Sequence, residues 1–211
     1  MNVFDFDKTI YKKDCSIEFY KFAVAKNPFL LLKCFPRQFG AIVQYKMGKI
    51  TKEKLKERYF CFLRYINVGS YVQEFAEREI NNIAGWYLDI KQENDVIISA
   101  SPQFLVTAFT DRLGIKYILA TDMDKHTGKI TGKNCRGEEK VTRFQKVFKD
   151  SVDCFYSDSM SDAPMARMAG QWLLLILSIS PSSCGPMDAI GSTTRMVKST
   201  SEMDSRATFT I

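Results

Sequence analysis

Apolar positions fall along this chain in two rhythms. Val3, Phe4 and Phe6 form a short apolar run that predicts a buried strand over Met1–Phe6. From Cys15 to about Leu88 the period is helical. Ile17, Phe19, Tyr20, Ala23 and Val24 mark a helix over Ser16–Lys26, and Asn27-Pro28 interrupts it. Phe29–Tyr45 is strongly apolar, with a break expected near Pro36 and an end at Gly48. Thr51 caps a helix running to Ile66, and Asn67-Val68-Gly69 is read as a turn. Ser70-Tyr71-Val72-Gln73 has the capping-box pattern ahead of a helix to about Asn81. Successive helices without an intervening strand predict a small helical bundle, whose core should also take the aromatic run Arg58–Tyr65 and the apolar stretch Pro28–Phe35.

The rhythm then changes. "DVIISA", Asp95–Ala100, reads as a buried strand. Pro102–Leu113 is a helix with Gly114 past its end, and Ile115–Ala120 is a further strand. Thr121–Cys135 holds Thr127-Gly128 and Thr131-Gly132 and reads as a hairpin excursion. Glu138–Lys149 is helical, Val152–Tyr156 is a strand, and Ser161–Ala169 starts another helix. Gln171–Ile179 supplies one more strand. From about Ser180 serine and threonine crowd the chain and apolar periodicity is lost, so residues 180–211 are expected to be a poorly ordered tail. Strands alternating with helices give a parallel sheet. The expected fold is α/β: a Rossmann-like parallel-sheet core with the helical block inserted after the first strand.

Composition narrows the class. Of 211 residues, 45% are hydrophobic and 26% charged, as in ordinary globular proteins. No apolar run approaches the length of a membrane span, about 20 residues. Met1 leads straight into a strand-like segment with an acidic end, so no signal peptide is expected. Cys15, Cys34, Cys61, Cys135, Cys154 and Cys184 are scattered without zinc-like spacing, which points to a reduced, cytoplasmic protein. The net charge of +6 suits an anionic substrate or a membrane surface, although the lysines form no single block and read first as a solvated surface.

The chemistry gathers at strand ends. Ligands of an open parallel sheet bind beyond the carboxyl ends of its strands. Asp5 and Asp7, Ser99, Lys140, and Asp158 with Asp162 all fall at or near such ends. This inventory suits phosphoryl transfer. A carboxylate can attack phosphorus, a divalent cation cancels the repulsion between two anions, and a lysine and a hydroxyl hold the remaining oxygens. A second carboxylate can protonate the leaving group and then activate water. Asp5 and Asp7, two apart, would face opposite ways on a continuing strand. They share a site only if the chain turns there.

Four segments carry a resemblance. "DFDKT" (Asp5–Thr9), "VIISAS" (Val96–Ser101), "GEEKV" (Gly137–Val141) and "YSDSMSD" (Tyr156–Asp162) are similar to the four ordered motifs of the haloacid dehalogenase superfamily of phosphohydrolases. The helical block resembles the cap of its phosphoserine-phosphatase-like branch, subfamily IB. The similarity covers roughly residues 1–170. It implies a core of residues 1–14 and 89–179 and a cap of residues 15–88. It implies Asp5 as nucleophile, Asp7 as general acid/base and Thr9 holding the loop beside the phosphate site. Ser99 and Lys140 would bind the phosphoryl group. Mg²⁺ would be held by Asp5, the Asp7 carbonyl and Asp158, with Asp162 orienting that shell or binding the metal through water. Asp14 and Ala100 would meet the substrate.

The expected function is a Mg²⁺-dependent phosphatase acting on a small phosphorylated substrate, with nucleic acid not expected as a partner. Asp14 is shorter than the usual glutamate, and Ala100-Ser101-Pro102 replaces a glycine pair and an aromatic residue, which argues against phosphoserine itself. The alternatives are a lipid phosphate phosphatase of the phosphatidylglycerophosphatase type, a phosphotransferase, and a catalytically silent module binding an anion or nucleic acid.

Overall fold

The computed structural model describes residues 1–174. Its centre is one sheet of five strands: β1 (Asn2–Phe4), β2 (Val96–Pro102), β3 (Tyr117–Thr121), β4 (Val152–Ser157) and β5 (Ala169–Leu174). The strands lie in the order β3-β2-β1-β4-β5, and every pairing is parallel. Val3 pairs with Val96 on one side and Phe155 on the other, so β1 is central. The chain winds outward from β1 through β2 to β3, then crosses back to β4 and winds the other way. That reversal beside β1 opens a crevice at the carboxyl ends of the strands.

Period-two alternation gives the sheet two apolar faces. Phe4, Ile97 and Tyr156 point to one face, and Val3, Val96, Ile98 and Phe155 to the other. Helix α6 (Gln103–Leu113) covers the first with Leu105, Val106 and Phe109, and Gly114 ends it in the left-handed conformation. Helices α7 (Glu138–Val147) and α8 (Ala163–Ala166) cover the second with Phe144 and Met165. Between β1 and β2 stand α1 (Cys15–Lys26), α2 (Phe29–Lys46), α3 (Lys52–Tyr59), α4 (Val68–Glu79) and α5 (Gly85–Ile90). Their apolar faces merge with the first sheet face into one core. Phe109 is the junction: its ring lies 5.5 Å from Phe6, 5.3 Å from Tyr11 and 5.7 Å from Phe75 of α4.

Several boundaries differ from the sequence expectation. Pro36 does not break α2. It sits on the exposed side, where water can satisfy the carbonyl one turn earlier that loses its donor. The helix from Thr51 ends at Tyr59 and tightens into a 3-10 segment, Phe60–Tyr65. Asn67 is no turn residue: its side chain accepts from Ser70 N at 3.2 Å and starts α4 three residues before the expected cap. Helix α7 stops at Val147, and α8 is a single turn because β5 begins at Ala169, two residues earlier than expected. The expected end of that strand at Ile179 and the tail from Ser180 lie outside the described residues.

The stretch Pro28–Phe35 needs a larger correction. Only Leu30 and Cys34 of it enter the core, while Phe29, Leu31, Leu32 and Phe35 are exposed. Helix α2 stands at the edge of the bundle, and no described element covers its outer side.

Phe109 is buried and touches three elements, so truncating it leaves a void that backbone shifts cannot close. Phe109→Ala should cost about 3–5 kcal/mol of unfolding free energy. Chemical denaturation checks this, and a loss below about 1 kcal/mol would show that the junction is not shared.

Candidate active site

The first loop answers how two aspartates two apart come to share a site. Asp5 continues the sheet ladder, donating its N–H to Tyr156 O at 2.8 Å. The chain then turns: Phe6 O accepts from Thr9 N at 3.4 Å and Tyr11 N at 2.9 Å, and Lys8 takes a left-handed φ of 57°. A non-glycine residue held there is mildly strained and persists only where its surroundings fix it. The Asp7 carboxylate does that. Its Oδ1 accepts from Cys15 N at 2.6 Å, at the start of α1. Its Oδ2 accepts from Ser101 Oγ at 2.6 Å and from Ser99 Oγ at 3.3 Å, at the end of β2. Asp5 and Asp7 therefore line the same cavity, which has a volume of about 480 Å³.

Lys140 enters this cavity from the first turn of α7 and is only 1% exposed. Its Nζ donates to Asp5 Oδ1 at 2.6 Å and to Asp162 Oδ2 at 2.6 Å. Burial alone would depress this lysine, but the two carboxylates outweigh it and hold its pKa above the ordinary value. Asp162 Oδ2 also accepts from Ser157 Oγ at 2.9 Å. Although Asp162 precedes α8, its side chain makes no capping bond to that helix and turns to Lys140 instead. A buried cation between two buried carboxylates is costly to take apart, because removing one member strands the others.

The remaining expected residues fall in three places. Asp158 lines the cavity half-buried, and its carboxylate makes no hydrogen bond to another described residue. Asp14 and Ala100 also line it. Asp14 Oδ1 caps α1 by accepting from Ile17 N at 3.0 Å, and Ala100 offers its carbonyl to Lys56 and Thr121. Thr9 and Ser99 stand behind the wall. Thr9 Oγ1 accepts from Asp158 N at 3.1 Å and so ties the first loop to the loop after β4. Ser99 Oγ accepts from Ser101 N at 3.0 Å while donating to Asp7. Of the two β2 serines, Ser101 is the one on the cavity wall.

Other wall residues carried no sequence signal. Lys56 comes from α3, where it is one of several lysines, yet its Nζ reaches Ala100 O and lies 3.2 Å from Asn134 Oδ1. Burial lowers its pKa to about 8, against the pull of Asp7 and Asp14. Arg136 donates to Ser161 Oγ at 3.2 Å. Tyr59 and Phe60, from the aromatic run assigned to the bundle core, reach the cavity too. Gly128 lets the hairpin after β3 settle on Phe60: at its φ of +72°, a Cβ would meet Phe60 O at 2.7 Å.

Burial pushes Asp5 up to about 7, with Asp162 and Asp7 acting the same way against Lys140. Burial and then Asp14 push Asp7 up to about 6, against its hydrogen bonds from Ser101 and Cys15. Both carboxylates are thus short of positive charge. Asp5 Oδ2 has no hydrogen-bond partner among the described residues, and the Asp158 carboxylate accepts from no other described residue. Among the described residues no three His, Cys, Asp or Glu side chains form a closed metal cage. That donor set fits Mg²⁺, which takes one or two carboxylates and keeps the rest of its shell for water and phosphate oxygens. Asp5, Asp158 and the Asp7 carbonyl could hold it.

A family model for haloacid dehalogenase-like hydrolases matches residues 3–167. The chain belongs to that family. Among curated relatives, the protein CicA of Caulobacter vibrioides is 27% identical over 188 residues, covering 80% of this chain and 82% of CicA. Among solved structures, a protein of unknown function from Bordetella pertussis superposes with a TM-score of 0.70 at 19% identity, covering 83% of this chain and 89% of that one. A substrate-bound phosphoserine phosphatase superposes with a TM-score of 0.54 at 17% identity, covering 82% and 84%. A phosphoserine phosphohydrolase-like protein from Francisella tularensis gives 0.54 at 16% identity, covering 83% and 88%. This haloacid dehalogenase-like hydrolase thus has the fold of the phosphoserine-phosphatase-like branch.

Lys140→Ala leaves Asp5 and Asp162 buried without their cation. It should cost about 3–5 kcal/mol at pH 8. Stranded carboxylates bind protons more tightly folded than unfolded, so the variant loses stability as pH rises and its deficit should shrink at pH 5. Urea denaturation at both values checks this. A deficit of equal size at both would show that the carboxylates do not set it.

Proposed function

We propose that this hydrolase is a Mg²⁺-dependent phosphatase that cleaves a phosphomonoester through an aspartyl-phosphate on Asp5. The observation that carries the reading is the Lys140 ammonium placed 2.6 Å from both Asp5 Oδ1 and Asp162 Oδ2 at the wall of the cavity. With Oδ1 fixed, Oδ2 is the oxygen left for attack. In the first step an Oδ2–P bond forms and the ester P–O bond breaks. The leaving oxygen takes a proton from Asp7, whose pKa of about 6 suits proton exchange near neutral pH. In the second step Asp7 takes a proton from water, the water oxygen bonds to phosphorus, and the Asp5–phosphorus bond breaks. Bound beside Asp5 and Asp158, Mg²⁺ supplies the charge that lets a carboxylate approach a phosphate dianion. The Ser101 hydroxyl holds Asp7 in line by donating to its Oδ2 at 2.6 Å.

The comparison with a substrate-bound phosphoserine phosphatase supports a phosphomonoester. The outer wall here includes Ile17, Ile42, Leu55, Tyr59 and Phe60, which suits a substrate with an apolar portion better than a compact amino acid. We place the protein in a reducing, cytoplasmic compartment, in keeping with the buried free thiols Cys15, Cys34, Cys61 and Cys135. Among the described residues, no helix is long and apolar enough to cross a membrane.

Two outcomes follow. Asp5→Asn should lower kcat for an aryl phosphate by at least about 10³-fold while the fold persists, and full activity in that variant excludes Asp5 as nucleophile. Mg²⁺ should raise the melting temperature more at pH 8 than at pH 5. Asp5 and Asp7 have folded pKa values of about 7 and about 6, above the ordinary 3.8. Their contribution to stability is therefore fully present below 3.8 and lost as pH rises through 6 to 7, which is the loss a cation offsets. Thermal denaturation with Mg²⁺ and with EDTA measures this, and an equal shift at both pH values contradicts it. Added alcohol acceptors yielding new phosphate esters would identify a phosphotransferase instead.

A further inference from the structure

Helix α2 is built inside out. Its inward stripe is narrow and partly polar, made by Leu30, Cys34, Gln38 and Ala41. Its outward side carries Phe29, Leu32, Phe35, Phe39 and Val43, with Phe29 70% exposed, Leu32 76% and Phe35 57%. The Phe35 and Phe39 rings stack on each other at 5.8 Å in the open. At 100° per residue these side chains span an arc of roughly 120° opposite the core. Single exposed apolar residues need no explanation, but a continuous face of this size marks an interaction surface.

The flank of the same helix is basic. Lys33 and Arg37 are exposed on it, and Arg37 and Arg58 line a groove of about 350 Å³ together with Gly40 and Gln44. Around the helix the order is therefore core, cationic groove, apolar face. That is the arrangement of a helix lying in a bilayer interface, with apolar side chains among acyl chains and cations at anionic headgroups. A second copy of this chain is a poorer occupant, since a self-complementary contact would set Lys33, Arg37 and Lys46 against like charges. The net charge of +6 acts in the same direction. The face also runs to the site: Ile42, 44% exposed on α2, lines the cavity that holds Asp5 and Lys140.

We propose that α2 docks this protein on an anionic bilayer and sets the cavity mouth at the lipid surface, where its substrate is a phosphomonoester anchored in that bilayer. The substrate class rests on the phosphatase reading above; the docking does not. The test separates them. Flotation with phosphatidylcholine vesicles containing phosphatidylglycerol measures docking without any substrate. Hydrolysis of a soluble aryl phosphate measures the site without any membrane. Wild type should float with the anionic vesicles, far less with phosphatidylcholine alone, and less at high salt. The triple variant Leu32→Glu, Phe35→Glu, Phe39→Glu should bind at least about tenfold more weakly. It should keep the aryl phosphate activity of wild type, because none of the three lines the cavity. Wild type that stays unbound, or a triple variant that floats equally, overturns the docking. So does a wild-type dimer in sedimentation that the triple variant abolishes, because the face then belongs to a second copy. Vesicle binding without aryl phosphate hydrolysis would leave the docking standing and sink the phosphatase reading.

Discussion

The buried cluster of Lys140 between Asp5 and Asp162 is the constraint on which the site depends. Each of its members comes from a different part of the chain: the end of β1, the start of α7 and the loop after β4. The sheet must bring these points together, and the winding order that places β4 directly beside β1 does so. One lysine cannot compensate every carboxylate that faces this cavity. Burial first, and then the neighbouring carboxylates, make Asp5 and Asp7 hold protons to unusually high pH, and the charge deficit would give a divalent cation and a phosphate dianion a reason to bind together. Stability and chemistry draw on the same few atoms, so the metal-free protein should be under electrostatic stress near neutral pH.

Much of the site was legible because its residues close regular elements. Asp5, Asp158 and Lys140 follow a strand or open a helix, and in a parallel sheet such positions converge. Period-two geometry by itself demands a turn between two aspartates that share a cavity, and the left-handed residue Lys8 supplies it. What sequence could not give was the layer behind the wall. The resemblance picks Ser99 from the string "SAS", whereas the bend at the end of β2 puts Ser101 on the cavity wall and Ser99 behind it. Lys56 and Arg136 are ordinary basic residues until α3 and the hairpin after β3 are set in place.

The fold was legible where periodicity was strong, and boundaries failed where side-chain bonds decide them. Asn67 outcompetes Ser70 as the cap of α4 because its side chain reaches Ser70 N. The failure at α2 is of another kind. Apolar content predicts burial, yet the helix packs along one thin stripe and leaves its aromatic side open. A sequence says which positions are apolar, and the count of neighbouring elements says whether anything covers them. Where nothing does, the exposed face becomes a statement about surroundings, and here its basic flank and its approach to the cavity mouth give it a direction.

The central claim is that Lys140 holds Asp5 ready to accept a phosphoryl group. Its most direct measure is acid quenching of the wild-type protein during turnover with Mg²⁺ and an aryl phosphate, followed by peptide mapping. The account predicts an acid-stable, hydroxylamine-labile phosphoryl group on the N-terminal peptide at Asp5, and none there when Lys140 is replaced by alanine. A phosphoryl group on any other residue, or turnover with no phosphorylated protein at all, would contradict it.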